Sequence, residues 1–355
     1  MRFFFLSVIC CIPALLRAQE AEITGGDETR PKAHAKDSLR SHYIQRFPDY
    51  FFLYPVLKQR SQSFELAKTD KSALLTYKPN NTYSLGLGVY LFEVGLELGY
   101  AIPLAQNSIE RYGKSVARDI QLNALAKRWG LDAFYQRYSG FYLVDRDHEP
   151  QTNEPFPQRR DIATKNFGAT ANYVFNNQKF SFRSAYNFSE RQLYTKGSFL
   201  LFAALNTFRV AADSSIVIDD RKADYGPEVD FTRLRYTTFS IAPGYTQNLI
   251  YHNFFINATL AFGPAHHWIN YALEGSASTH HDIAINSFFS GRLAIGYNAD
   301  RIFGGISFLS QGSSLKFRDA TFSNNNSVFK VLVGYRFREF GVLKKRVWDM
   351  LPFTR

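Results

Sequence analysis

Seven charged residues, Glu97, Asp119, Asp132, Arg183, Arg292, Lys330 and Arg336, are where this sequence most readily places chemistry, because each stands in or beside a segment that alternates apolar with polar or small residues. Successive side chains of an extended strand point to opposite faces. A charge flanked by Leu96 and Leu98, as Glu97 is, or by Phe329 and Val331, as Lys330 is, therefore projects away from the apolar face. If the apolar face meets lipid, an Arg or Lys placed on it near the midplane costs about 2–4 kcal/mol, so the seven charges belong on the inner side. There they can line a selective pore, or pair with one another and fill a narrow barrel. Three acids and four bases are close to balance, whereas an ion-selective lining needs one dominant sign, and mutual pairing is the favoured expectation.

Other chemistry finds less support. His266-His267 and His280-His281 raise metal binding or acid–base work, but adjacent strand residues face opposite sides and no carboxylate accompanies them at metal-ligand spacing. They read as ordinary loop or strand-end histidines. Gly86 and Gly88 sit inside an alternating strand, where loss of side-chain bulk is a simpler role than cradling phosphate. No Gly-x-Ser-x-Gly element is present; a hydrolytic Ser, His and Asp group assembled at a barrel rim from distant strands needs none, so a rim hydrolase stands as the third reading. The expectation is no catalytic residue, no metal and no cofactor. Lys and Arg outnumber Asp and Glu by 42 to 31, yet they are scattered except at Lys344-Lys345-Arg346, which argues against nucleic acid as a partner.

The elements that must position these groups are short alternating segments between residues 83 and 337. Leu85, Leu87, Val89 and Leu91 oppose Gly86, Gly88 and Tyr90; Phe254, Ile256, Ala258, Leu260 and Phe262 oppose Asn257, Thr259 and Ala261. In a soluble two-sheet protein the apolar face would pack on a core, and in a barrel it faces lipid. The 34 Phe and 21 Tyr, with aromatic residues at 16%, match the girdles of an outer-membrane barrel. Residues 1–18 read as a secretory signal peptide, with Met1-Arg2, an apolar stretch over 3–16 too short to span comfortably, and cleavage after Ala18. Its loss removes Arg2 and Arg17, lowering the net charge from +11 to +9, and takes away Cys10 and Cys11, leaving no disulfide and no thiolate metal site.

Residues 19–47 read as a mobile N-terminal arm, 48–337 as the barrel with short rim strands at 50–57, 64–68 and 74–77, and 338–355 as a basic C-terminal tail. A first hairpin turns near Phe92-Glu93. Further segments are expected at 119–128, 131–143, 167–175, 180–187, 199–210, 231–241, 254–262, 267–273, 283–297, 302–317 and 329–337, with turns at Asn298-Ala299-Asp300 and over 323–326. An antiparallel barrel wants an even number, which gives about 12 strands within a range of about 10 to 14. Pro150, Pro155 and Pro157 keep a central strand out of the loop 144–160, and a second long loop covers 212–228.

Lys78-Pro79-Asn80-Asn81-Thr82, Leu85-Gly86-Leu87-Gly88, Gly130-Leu131-Asp132, Tyr135-Gln136, residues 138–142, Asn172-Tyr173-Val174-Phe175-Asn176 and Gly197-Ser198-Phe199-Leu200 occur in series. Over about 50–337 this series resembles the Bacteroidota family catalogued as domain of unknown function 4421. The resemblance implies an outer-membrane or cell-envelope barrel and supplies no catalytic residues. The expected protein is an all-β, antiparallel transmembrane β-barrel in the outer membrane, a monomer in contact with outer-membrane lipid, with a partly filled lumen and a structural, adhesive or envelope-maintaining role. Loops 144–160 and 212–228 are the surfaces for an envelope or extracellular partner. A narrow pore or transporter for small solutes is the alternative.

Overall fold

A computed structural model describes residues 39–70, 72–91, 94–148, 150–151, 154–225, 229–276, 278–317 and 320–340. The alternating segments form one antiparallel sheet of thirteen strands that curls until its ends meet. In chain order the strands are β1 (Ile44–Arg46), β2 (Tyr50–Lys68), β3 (Leu74–Lys78), β4 (Tyr83–Leu91), β5 (Val94–Ala101), β6 (Val116–Leu125), β7 (Trp129–Asp145), β8 (Gln158–Val174), β9 (Glu190–Gln192), β10 (Lys196–Ala211), β11 (Phe231–Tyr251), β12 (Phe254–Leu273), β13 (His280–Asn298), β14 (Ile302–Phe317) and β15 (Ala320–Arg338). β1 and β9 make a separate two-stranded piece. Closure comes from β2 and β15, paired from Tyr50 with Arg338 to Lys68 with Ala320. The continuous circuit is β2, β3, β7, β8, β10, β11, β12, β13, β14 and β15, ten strands, with β4, β5 and β6 attached beside it.

The outer face is apolar and exposed, as at Leu205, Leu260, Phe262 and Ile285. At the terminal end, where β2 begins and β15 ends, the rings sit side by side on the outside: Trp129 with Tyr173 at 4.7 Å, Phe199 with Tyr245 at 5.3 Å, Phe254 with Tyr297 at 5.1 Å and Tyr335 with Phe337 at 4.7 Å. From Trp129 to Arg137 on β7 the apolar outer face runs about 26 Å along the strand, or about 20 Å along an axis to which strands tilt by about 40°. No helix among the described residues is long and apolar enough to cross a membrane, which says nothing of a barrel.

Several expected elements come out differently. The pieces at 50–57 and 64–68 are one wall strand, β2, whose polar middle Lys58-Gln59-Arg60-Ser61-Gln62-Ser63 hides the continuity because its outward residues lie above the apolar belt. The segments at 254–262 and 267–273 are likewise one strand, β12. The turn expected over 323–326 is instead strand, paired on both sides within β15. The segment 180–187 is not a strand at all. It holds a short helix, Arg183–Tyr186, and is folded into the barrel. The hairpin turn at Phe92-Glu93, the leader, most of the N-terminal arm and most of the basic tail lie outside the described residues.

One junction decides how the wall is built. β3 lies between β2 and β7, but Pro79 offers no N–H to a ladder, and beyond it the chain leaves β7. It continues as β4 along Phe52–Gln59 of β2 and takes β5 as its new neighbour, while β6 replaces β3 on β7. Asn80 pins the fork: its side chain donates to the carbonyls of Gly113 at 2.8 Å and Ser108 at 3.1 Å, and its backbone N–H donates to Ser115 Oγ at 2.7 Å. Ser115 Oγ in turn donates to the carbonyl of Gly140 at 2.7 Å. Gly140, at φ +77°, is where β7 shifts register against β8. An added Cβ there would stand 2.5 Å from the carbonyl oxygen of Lys114. The connection over 102–115 includes the helix Gln106–Tyr112 and sits above the gap between β5 and β6, which share no ladder among the described residues.

Gly140→Ala should lower stability by about 1–2 kcal/mol from the positive φ alone, and Asn80→Ala by about 2–3 kcal/mol from its lost buried hydrogen bonds. The midpoint of urea unfolding, followed by heat-modifiable gel mobility of the detergent-folded barrel, measures both. Wild-type midpoints in the two variants would contradict the role given to the fork.

Candidate functional site

The interior is arranged in layers. Inward positions of β2, β5 and β15 bring Lys58, Tyr54, Glu97 and Lys330 together: Glu97 accepts from Lys330 Nζ at 2.6 Å, from Tyr54 Oη at 3.2 Å and from Lys58. Gly88 and Gly334 flank this group: an added Cβ at Gly88 would strike the Tyr54 ring at 2.1 Å, and one at Gly334 would strike the Phe303 ring at 2.2 Å and the Tyr54 Cβ at 2.8 Å. Across the lumen Arg292 pairs with Asp132 at 2.5 Å. Its guanidinium lies 5.4 Å from the ring centre of Phe182 and 5.7 Å from that of Phe202. Asp119 accepts from Gln136 at 2.9 Å and Tyr138 at 3.0 Å and lies 3.5 Å from Arg60. Asn166 extends this network by donating to Gln136 at 3.0 Å, and Thr164 and Gln62 form a separate buried pair at 3.1 Å.

At the terminal end the segment 175–195 enters the lumen. Its buried centre is Glu190, which accepts from Arg40 Nη2 at 2.7 Å and faces Arg183 at 3.7 Å. Arg183 also donates to Tyr90 Oη at 2.7 Å and Ser189 Oγ at 2.8 Å. Tyr186 donates to Asn257 at 2.6 Å, and Asn298 donates to the carbonyls of Ser184 and Glu190 at 3.0 Å each, so the infold is held by the walls of β4, β12 and β13. Arg336 is fully buried beneath it, donating to Phe188 O at 2.6 Å and Asn298 Oδ1 at 2.7 Å, with its guanidinium 3.9 Å from the Phe47 ring centre and 4.6 Å from that of Phe303. Carbonyls and aromatic faces, rather than a carboxylate, balance this cation.

The opposite, loop end is closed by apolar packing. Ile216, Val217, Tyr225 and Val229, from the loop after β10, join Phe64, Leu75, Tyr77, Phe141, Phe208, Tyr236 and Phe322 in one buried cluster. Tyr225 Oη donates to Leu66 O at 2.9 Å. On the rim above, Lys222 donates to Glu274 at 2.7 Å and Arg221 to Asp147 at 2.7 Å. The bond from Glu274 holds the Lys222 ammonium above its ordinary pKa, and the same bond holds the Glu274 carboxyl below its own. The loop 212–228, expected as a partner surface, thus tucks Ile216, Val217 and Tyr225 into the lumen. In the loop 144–160, Phe156 stacks on Tyr112 at 5.3 Å.

Six of the seven sequence-chosen charges lie in four groups, and the seventh stands alone. Glu97 sits with Lys330, Asp132 with Arg292, Asp119 with Arg60, and Arg183 with Arg40 and Glu190, while Arg336 stands apart among rings. Sequence reasoning missed Lys58, Arg60, Arg40 and Glu190. The first two sit where β2 reads as polar on both faces; Arg40 lies in the segment read as arm, and Glu190 between the segments read as strands at 180–187 and 199–210. One signal was available: eight residues, 180–187, fall short of the 9–11 that a tilted spanning strand requires. The adjacent histidines diverge as strand geometry dictates. His267 is buried with Nδ1 2.8 Å from Thr238 Oγ1, and His266 packs against Trp268 on the outside. Among the described residues no group of three His, Cys, Asp or Glu side chains is placed to hold a metal.

Burial works to raise the Glu190 carboxyl, but Arg183, Arg40 and Ser181 around it hold it below its ordinary value. A carboxyl whose pKa is depressed by folding contributes stability above its unfolded value of about 4.3, and that contribution is lost as pH falls through the folded value. The infold should accordingly resist added protease at neutral pH and be cut within 175–195 in acid well below pH 4. Glu190→Gln, which breaks a buried ion pair at a cost of about 3 kcal/mol, should expose the same segment already at pH 7. An infold equally resistant in both proteins at every pH would contradict the lock.

Comparison with solved structures finds outer-membrane proteins at low similarity. The outer-membrane protease OmpT of Escherichia coli aligns over 82% of this chain and 98% of its own at 12% identity, with a TM-score of 0.39. The attachment invasion locus protein Ail of Yersinia pestis, solved with a heparin analogue, aligns over 81% and 99% at 9% identity with a TM-score of 0.23. The P. putida toluene transporter TodX aligns over 83% and 91% at 7% identity with a TM-score of 0.26. No curated protein matches the chain in sequence. The family described as Domain of unknown function (DUF4421) matches residues 36–337, and the chain belongs to it.

Proposed function

We propose that this protein is a monomeric outer-membrane barrel with a structural, adhesive or envelope-maintaining role, and that it neither conducts solutes nor catalyses a reaction. The observation that carries this reading is that chain segments occupy both ends of the lumen: 175–195 bound by Arg40, Glu190 and Arg183, and the loop after β10 packed among Phe64, Tyr77 and Phe322. The charges between the two ends are engaged with one another, as a filled barrel requires. Placement in a bilayer is supported by the apolar, aromatic-edged outer belt, whose exposure would be unfavourable in water, and by closure that pairs the backbone inside the wall. Export by a cleaved leader at 1–18 and a Bacteroidota host belong to the same proposal. The exposed parts of loops 144–160 and 212–228 are where an envelope or extracellular partner would meet it.

A second reading, passage of small solutes, is favoured by one specific observation. Between β5 and β6 the wall lacks a ladder among the described residues, and Leu96 and Leu98 beside this seam are 66% and 82% exposed. A lateral path through the seam would lead toward Glu97, Lys58 and Lys330.

In a planar bilayer at neutral pH the purified protein should insert without producing single-channel steps. Stable steps whose size changes in Lys330→Ala would overturn the closed-barrel proposal in favour of the second reading.

A further inference from the structure

The outward face carries an unexpected row. Arg118 of β6 is directly opposite Arg137 of β7, Arg137 is opposite Lys165 of β8, Lys165 is opposite Arg209 of β10, and Arg209 is opposite Arg235 of β11. All five side chains are exposed. Directly opposed residues on one face of an antiparallel pair hold their Cβ atoms about 5 Å apart, and like charges so placed repel. Four such repulsive pairs follow one another without interruption. Among the described residues none of the five has a carboxylate within ion-pair distance, although acids elsewhere on the surface are paired, as Asp161 is with Arg159 at 2.8 Å.

The position of the row identifies what would neutralise it. It runs along the upper border of the apolar belt: the next outward residues below it are Ile120, Tyr135 and Phe167, all exposed, and Thr207 and Thr237, which hydrogen-bond to each other at 3.0 Å. On the other side of the barrel the residues at the corresponding border are uncharged, Gln59 on β2, Ser310 on β14 and Ser327 on β15. The basic residues are thus concentrated on five neighbouring strands rather than spread around the rim. Within the row, Arg137, Lys165 and Arg209 surround a concavity of about 130 Å³ whose remaining lining is Ala163 and Ala211. The small side chains leave space just above the three cations, on the side away from the apolar belt.

We propose that this row is a binding site for the phosphate-bearing head group of an anionic membrane lipid, seated in the concavity between Arg137, Lys165 and Arg209, with the acyl chains lying down the apolar face over Tyr135 and Phe167. The arrangement matches such a ligand at both ends, a compact multivalent anion above and hydrocarbon below. Arg118 and Arg235 extend the positive field on either side and admit a head group with a second phosphate. This inference rests on the membrane placement proposed above.

The test uses the full-length barrel folded in neutral detergent and then reconstituted in nanodiscs. Phosphatidic acid, phosphatidylcholine and inorganic phosphate serve as probes, with lipid retention in native mass spectrometry and the melting temperature as readouts. The expected result is preferential retention of phosphatidic acid, a rise in wild-type melting temperature with this lipid alone, and loss of about a hundredfold in affinity in R137Q/K165Q/R209Q. The charge-preserving R137K/R209K should keep most of the binding, and R160Q/K316Q/R338Q should keep all of it. Heat-modifiable mobility establishes that each variant is folded. Equal retention of phosphatidylcholine, unchanged binding in the triple variant, or displacement of the lipid by an equal concentration of inorganic phosphate would overturn the proposal. Insertion into nanodiscs without lipid preference would overturn this site alone. A protein that stays outside the bilayer would overturn the membrane placement and the site with it.

Discussion

Backbone pairing within a closed wall is the constraint on which the structure depends. A strand that faces hydrocarbon has no water to satisfy its N–H and C=O groups, so each must find a neighbouring strand. β2 meets most of this demand because it pairs with β15 along nearly its whole length on one edge and is shared by β3 and β4 on the other. The exchange of partners at Pro79 and Gly140 lets ten strands close at the loop end while β4, β5 and β6 widen the wall below. Asn80 and Ser115 supply the bonds that the interrupted ladders no longer provide. The price of that widening is the seam, where the facing edges of β5 and β6 have no ladder between them.

Once the wall is closed, the period of two in each strand fixes the rest. An outer belt of Leu, Ile, Phe and Tyr leaves the inner positions to small, polar and charged side chains, and a charge in that confined space needs a partner. Glu97 between two lysines and Asp132 with Arg292 meet this need directly. Arg336 meets it with carbonyls and ring faces. The two ends are filled in different ways, by buried ions at the terminal end and by apolar side chains at the loop end. Acid should therefore loosen the terminal end, while at the loop end it reaches the rim pairs and not the apolar packing beneath them.

The fold class was legible because the wall repeats one local rule many times. β14 is found with the bounds its alternation gives, Ile302–Phe317, and the β4 and β10 segments are close to theirs. The reading failed where a strand's outer face rises above the apolar belt and turns polar, which disguised the middle of β2 and the first half of β15. It also failed where alternation is accidental: Phe180, Phe182 and Tyr186 alternate with Ser181 and Arg183, yet all are packed inside the lumen. Which charges of the wall strands face inward follows from strand parity, but their partners do not, and Arg183 lies on a helix where parity says nothing. Lys58 and Glu97 are 39 residues apart, and Arg40 and Glu190 are 150 apart. The series Lys78-Pro79-Asn80-Asn81-Thr82 was visible as a motif, while its task of holding the fork depends on Ser108, Gly113 and Ser115, which only the folded chain brings near.

The most direct test of the filled, lipid-facing barrel is single-cysteine scanning along β11, which is straightforward because Cys10 and Cys11 are the chain's two cysteines and replacing them leaves a clean background. A bimane label at each position from 236 to 242, in liposomes containing a spin-labelled lipid and probed from both sides with a water-soluble thiol reagent, reports which medium each side chain meets. The account predicts lipid quenching at 237, 239 and 241, and at 236, 238, 240 and 242 neither quenching nor reaction with the aqueous reagent. Aqueous labelling of the second set would reveal an open lumen, and absence of lipid quenching in the first set would remove the protein from the bilayer.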